Sequence, residues 1–195
     1  MAEENGKHKV IELEEVVVKF AGDSGDGMQL TGSQFSDTAA ILGNDLATFP
    51  DFPSEIRAPQ GTIAGVSGFQ VHIGHKEVQT PGDKADVLVA MNPAALIINM
   101  KWVKPGATII IDIDNFDNKS YKKAGCDTDP LEDGTVDGYI VVKAPISNLT
   151  RSTLSDMGID NRTADKTKNQ FVMGILFWLF NRDIKMGEKF LEQKF

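Results

Sequence analysis

The sequence has one cysteine, Cys126. No disulfide can therefore close within the chain. An iron–sulfur cluster or a Cys-rich zinc site needs several thiolates, so this chain alone can hold neither. Cys126 lies in the polar stretch "KKAGCDTDP" and reads as an incidental loop residue rather than a nucleophile. Basic runs are also lacking. Twenty Lys and Arg face 28 Asp and Glu, a net charge of -8, which argues against nucleic acid or an anionic membrane as the main partner. Long apolar runs are absent too: near the C-terminus the longest is "GILFWLF", far short of a membrane span. The opening "MAEENGKHK" is polar and has no signal-peptide pattern, so the chain is expected to be cytoplasmic. Neither an internal repeat nor a low-complexity segment is visible.

With 41% hydrophobic residues, the 195-residue chain can bury one proper core. Residues 1–14 are expected to be a disordered lead-in and 15–195 a single domain. "EVVVKFA" (15–21) reads as a buried strand ended by glycine. A helix is expected over 28–42, stopped by Gly43 and Asn44. Further strands are expected at 46–53, 62–74, 85–91, 107–113 and 138–145. In the third region, Gly65 and Gly68 suggest a bulge or close backbone approach. "NPAALIINMKWV" (92–103) reads as a helix capped by Asn92, with Pro93 in its first turn. "KPG" is expected to be a turn and 114–138 a loop excursion. "TKNQFVMGILFWLF" (167–180) is apolar on nearly every side, so a central helix is expected, with Trp178 and Phe180 in the core. A last helix runs to the chain end. Alternating strands and helices imply an α/β fold: a layered α/β/α sandwich on a mainly parallel sheet. Ligands of such sheets bind where the strands' carboxyl ends meet the loops.

"AGDSGDGMQLTG" (21–32) leaves the first strand at that edge. It fits no common phosphate motif. A Walker loop requires Lys where Met28 stands, and a dinucleotide fingerprint requires Gly where Leu30 stands. A thiamine diphosphate motif begins Gly-Asp-Gly but continues to an Asn pair, which is missing here. Two readings stay open. A glycine turn opening a helix leaves backbone N–H groups free for an anion, with Ser24 and Thr31 adding hydroxyls. Against that, Asp23 and Asp26 repel a phosphate. The alternative is a tight turn in which Asp26 caps the helix.

"FPDFPSEIRAPQGT" (49–62) is a proline-stiffened loop presenting Glu55 and Arg57. Arg57 suits a carboxylate or phosphate, but Glu55 and Arg57 are equally readable as a surface ion pair. His72 and His75 lie three apart on a strand and point to opposite faces, which does not suit a shared metal.

"GDSGDGMQLTGSQF", "FPDFPSEIRAPQGT" and "ADVLVAMNPAAL", in that order, resemble the γ domain of 2-oxoacid:ferredoxin oxidoreductases. The match looks closest to the N-terminal γ portion of the α subunit of 2-oxoglutarate:ferredoxin oxidoreductases, over roughly residues 15–195. Such enzymes decarboxylate a 2-oxoacid on thiamine diphosphate, pass electrons through iron–sulfur clusters to ferredoxin, and form acyl-CoA. The resemblance implies an accessory domain inactive alone. Thiamine diphosphate, Mg²⁺ and the clusters are then expected on partner domains, with ferredoxin an indirect partner. It makes Gly22, Asp23, Ser24, Gly25, Asp26 and Gly27, with Ser54, Glu55 and Arg57, the cleft-edge residues. Their contact with coenzyme A phosphates is the expectation. In the family's fused form a linker leads on to a thiamine domain, so a chain ending at Phe195 reads as a truncated piece or a separate subunit. An exposed apolar docking patch and homo-oligomers are expected. A free-standing nucleotide- or dinucleotide-binding protein is the alternative.

Overall fold

The computed structural model describes residues 11–52 and 65–194. Most of the expected lead-in, and Ser54, Glu55 and Arg57, lie outside the described residues. Six strands form one sheet: β1 (Glu15–Asp23), β2 (Asp45–Asp51), β3 (Val66–Gly74), β4 (Ala85–Ala90), β5 (Val103–Asp112) and β6 (Ile140–Ala144). Their order is β2-β3-β1-β4-β5-β6. Strands β1, β4, β5 and β6 run parallel, while β3 runs antiparallel to both its neighbours, β1 and β2.

The helices are α1 (Met28–Ile41), α2 (Pro93–Asn99), α3 (Asn118–Lys123), α4 (Ile146–Ser155), α5 (Asn161–Ala164), α6 (Lys168–Leu179) and α7 (Ile184–Lys194). The central strands are apolar on both faces because each face is covered. Val18, Phe20, Val87, Val89 and Ile110 join Met28 and Phe35 of α1 and Val172 and Leu176 of α6 in one cluster. Ala21, Leu88, Ala90, Ile109 and Ile111 join Ala95 and Leu96 of α2 in the other. The result is the three-layer α/β/α arrangement.

Four expectations are corrected. Segment 114–138 is not a plain loop. It contains α3, and its Tyr121, Leu131 and Val136 are buried in the second cluster. Helix α6 is not buried on every side: Trp178 is 72% exposed at its end, whereas Phe180, partly buried, does pack against the first cluster, its ring 5.6 Å from that of Phe35. "KPG" sits inside β5 rather than before it. Gly106 takes a left-handed φ of 77°, and the β4–β5 register jumps from Ala85↔Val103 to Val87↔Thr108, so the turn survives as a bulge. The helix after Asn92 ends at Asn99 and tightens into a 3₁₀ turn over Met100–Trp102. Asn92 caps α2 as the sequence indicates, its side chain accepting from the Ala95 N–H, with Pro93 at the first turn.

Asp160 caps α5. Its carboxylate accepts from the Thr163 hydroxyl at 2.7 Å and from the Arg162 and Thr163 N–H groups. The Thr163 side chain, and then its N–H, hold this carboxyl below the usual range. A depressed carboxyl stabilises the fold above its unfolded pKa near 4, and that contribution fades as pH falls through the folded value. Asp160→Asn should therefore lower the urea midpoint at pH 7, with a smaller gap from wild type at pH 3. An equal gap at both would contradict the assignment.

Candidate functional site

The parallel strands β1, β4 and β5 all end on one side of the sheet, and the segments leaving them enclose a pocket of about 340 Å³. Asp23 ends β1 and Asp26 follows it; Asn92, Pro93 and Ala94 follow β4; Asn115 and the α3 segment follow β5; Lys168 opens α6. This is the edge at which open α/β sheets bind ligands.

The glycine loop supplies one wall. The Asp26 N–H donates to the Asp23 carbonyl at 2.9 Å, and the Asp26 carboxylate accepts from the Asp23 N–H at 2.8 Å. A side chain at Gly22 would put its Cβ 2.7 Å from that carboxylate oxygen. Gly27 has φ 73°, a left-handed conformation that favours glycine, and a Cβ there would lie 3.0 Å from buried Asn169. So the glycines let the loop fold back on itself and let α6 press against it.

Asp26 does not cap α1. Gly27 is the N-cap, without a side-chain hydrogen bond. The Asp26 carboxylate instead pairs with Lys168 Nζ at 2.7 Å, both side chains being only about one-eighth exposed (13% and 12%). Sequence reasoning missed this because Lys168 is remote in the chain. Asp23 is likewise engaged, accepting from Asn92 Nδ2 at 2.9 Å and from Lys123 Nζ at 3.2 Å. Asp26 is therefore neutralised by a largely buried partner, while Asp23 is hydrogen-bonded and only loosely ion-paired. The first-turn N–H groups of α1 meet no side-chain cap. Of the sequence-predicted loop residues, Asp23 and Asp26 line the pocket, and Gly22, Ser24, Gly25 and Gly27 sit in the wall behind them, outside its lining.

The opposite wall is α3. Lys119 and Lys123 are four apart and share one helical face. Asp117 caps α3 through the Ser120 N–H at 2.7 Å, which holds its carboxyl below the usual range. Sequence reading overlooked both lysines, although "NKSYKK" after a capping Asp carries a short helix signal. Lys123 is 63% exposed, so its pairing with Asp23 is a weak surface contact. Lys119 makes no ion pair within 4 Å among the described residues.

Behind this wall Asp112, at the end of β5, is fully buried. Burial pushes its carboxyl above the usual range, against the pull of the Ser147 hydroxyl and N–H that donate to it. Asn115 also donates to it, at 2.9 Å. Neighbouring Asp114 accepts from the N–H and side-chain amide of Asn148. Together these two carboxylates fasten the end of β5 to the start of α4. Cys126 is half-buried, and burial raises its thiol, which suits an inert residue rather than a nucleophile. Among the described residues, no group of three or more His, Cys, Asp or Glu is placed to hold a metal ion. Nor is any of their helices long and apolar enough to cross a membrane.

Comparison with known proteins gives the following. The family model described as pyruvate ferredoxin/flavodoxin oxidoreductase matches residues 17–195. The chain is 45% identical over 183 residues to 2-oxoglutarate oxidoreductase subunit KorA of Mycobacterium tuberculosis, covering 94% of this chain and 28% of that one. A solved 2-oxoglutarate:ferredoxin oxidoreductase from Magnetococcus marinus, with 2-oxoglutarate, coenzyme A and succinyl-CoA bound, matches with a TM-score of 0.70 at 26% identity. That match covers 94% of this chain and 27% of the other. The γ subunit of a keto/oxoacid ferredoxin oxidoreductase from Geobacter sulfurreducens has the same fold, with a TM-score of 0.62 at 18% identity over 92% of this chain and 86% of that one. The chain thus spans 28% of the curated relative's length.

Proposed function

The chain belongs to the pyruvate ferredoxin/flavodoxin oxidoreductase family, and on that premise we propose that it is the γ domain of a 2-oxoacid:ferredoxin oxidoreductase. The complex oxidatively decarboxylates a 2-oxoacid, 2-oxoglutarate ahead of others, and forms the acyl-CoA. The 45% identity to a 2-oxoglutarate oxidoreductase subunit supports that substrate. Thiamine diphosphate, Mg²⁺ and the iron–sulfur clusters belong to partner domains in this reading. The single cysteine supports this, since one thiolate cannot hold a cluster. The exposed apolar side chains of Trp178 and Ile184, at the α6–α7 corner, support a surface that meets those partners. We assign the protein to the cytoplasm, as an oligomer that reaches ferredoxin only through its partners.

Within that complex the domain receives the phosphates of coenzyme A. The observation that carries this is the pocket at the carboxyl edge of β1, β4 and β5, with Lys119 and Lys123 facing the glycine loop. An incoming phosphate monoester offers Lys123 a stronger partner than Asp23, because the group carries close to two negative charges over three acceptor oxygens, against one on the carboxylate that Asp23 shares with Asn92. Asp23 keeps its Asn92 hydrogen bond and Asp26 keeps Lys168, so neither carboxylate is left bare. The chain's role is to bind and orient; the carbon chemistry happens on the partners. By resemblance Ser54, Glu55 and Arg57 belong to the same cleft edge.

Reconstitution tests the assignment. Combined with its partner subunits, the chain should support ferredoxin reduction that needs both 2-oxoglutarate and coenzyme A, and alone it should support none. NAD binding to the chain with no CoA-dependent turnover in the complex would favour the dinucleotide-binding alternative instead.

A further inference from the structure

Two side-chain amides line the pocket, and they differ in what they have left to offer. Asn92 is committed at both ends: Oδ1 accepts from the Ala95 N–H and Nδ2 donates to Asp23, each at 2.9 Å. Among the described residues, Asn115 is committed at one end only. Its Nδ2 donates to the Met91 carbonyl at 3.1 Å and to Asp112 Oδ2 at 2.9 Å. Two acceptors on that side settle which end of the amide is nitrogen, and they use both of its hydrogens. The Met91 carbonyl can only accept, which fixes this end as Nδ2, and the Ser147 hydroxyl and N–H converge on the same Asp112 carboxyl at 2.5 and 3.2 Å. A buried relay therefore runs from Ser147 through Asp112 to Asn115.

We infer that Asp112 locks Asn115 so that its Oδ1 faces the pocket as a fixed acceptor, which selects ligands carrying a hydrogen-bond donor in addition to their phosphates. The inference rests on the reading of the pocket as a coenzyme A site. Lysines alone hold any phosphate ester; a fixed acceptor discriminates, because a ligand without the donor leaves it desolvated and unpaired. About 340 Å³ is near the lower end of small-molecule sites and suits a nucleotide-sized end rather than a whole coenzyme A. That end carries two donors, the adenine 6-amino group and the ribose 2′-hydroxyl. Asn115 is then a specificity-determining residue, and Asp112 a positioning residue.

The test is a ligand-by-variant cycle in the assembled enzyme, using coenzyme A and two analogues, one lacking the 6-amino group and one lacking the 2′-hydroxyl. Wild type should bind one analogue about fivefold more weakly than coenzyme A, the usual worth of one hydrogen bond. Asn115→Ala and Asn115→Leu should bind that analogue and coenzyme A equally. Asp112→Asn, which weakens the bias on the amide and leaves Met91 as its one obligate acceptor, should shrink the same ratio; a purely structural role would weaken all three ligands alike. If neither analogue's loss depends on Asn115, while Lys119→Ala and Lys123→Ala weaken every ligand, the inference is wrong and the pocket reading stands. If the lysine variants also leave coenzyme A binding untouched, both fall together.

Discussion

Asp112→Ala is expected to destabilise the chain by about 3 kcal/mol. Asp112 is fully buried and accepts three hydrogen bonds, from the Ser147 N–H, the Ser147 hydroxyl and Asn115 Nδ2. Removing the carboxylate strands three donors, and each stranded buried donor costs about 1–3 kcal/mol. Relief of the burial that raises this carboxyl returns part of the sum, as does any water admitted to the space. Asp112→Asn keeps one acceptor oxygen and should cost about half as much. Urea unfolding followed by circular dichroism measures both: the midpoint should fall with an unchanged slope. A shift below about 1 kcal/mol for Asp112→Ala would show that the β5–α4 junction does not depend on this residue.

Gly32→Ala is expected to cost about 2 kcal/mol net, although alanine is the better helix former by about 1 kcal/mol. Gly32 lies within α1, where the helix crosses Phe69 of β3. A Cβ there would sit 2.2 Å from Phe69 Cδ1, 2.4 Å from Cγ and 2.8 Å from Cβ. The root of the ring is as close as its edge, so a small rotation does not clear it. Phe69 is itself buried in the first core cluster, leaving the ring nowhere to go without shifting α1. Overpacking of this kind typically costs about 1–3 kcal/mol; this overlap belongs at the upper end of that range, and the helix-propensity gain of about 1 kcal/mol offsets part of it. Gly25→Ala is the control. Nothing lies within 4 Å of a Cβ there and its φ is not positive, so its stability should stay within about 0.5 kcal/mol of wild type. Equal midpoints for Gly32→Ala and wild type would mean that α1 and β3 do not pack this closely.

The central strands could be read from the chain because both their faces are buried. Continuous apolar runs such as Val87–Ala90 have one explanation at that length. The cap at Asn92 was equally readable, since an Asn-Pro pair before an apolar run is a local signal. Strand direction was not. β3 pairs antiparallel with β1 because it follows β2, and nothing in its alternation says so. Helix α3 escaped because six residues are too few for a period to show. Trp178 was placed in the core on composition, whereas the end of a helix that leaves the sheet exposes it. The pocket was hardest of all. Lys123 meets Asp23 across 100 residues of sequence, and Lys168 reaches Asp26 from another helix, so the cationic wall never appears as a basic run. The loop's two aspartates looked hostile to an anion only because their partners were out of sight.

The central claim is that the carboxyl-edge pocket of this domain receives coenzyme A. Calorimetric titration of coenzyme A into the assembled enzyme tests it most directly, with wild type compared against the Lys119→Ala/Lys123→Ala pair and NAD as the control ligand. The pair faces the pocket, and its one hold on the loop is the exposed Lys123–Asp23 contact; the buried hold is Lys168 on Asp26. Saturable coenzyme A binding is expected, weakened about tenfold in the double variant at low salt and less at high salt, with no binding of NAD. Coenzyme A binding with the same affinity in both proteins, or saturable NAD binding that the double variant abolishes, would contradict it.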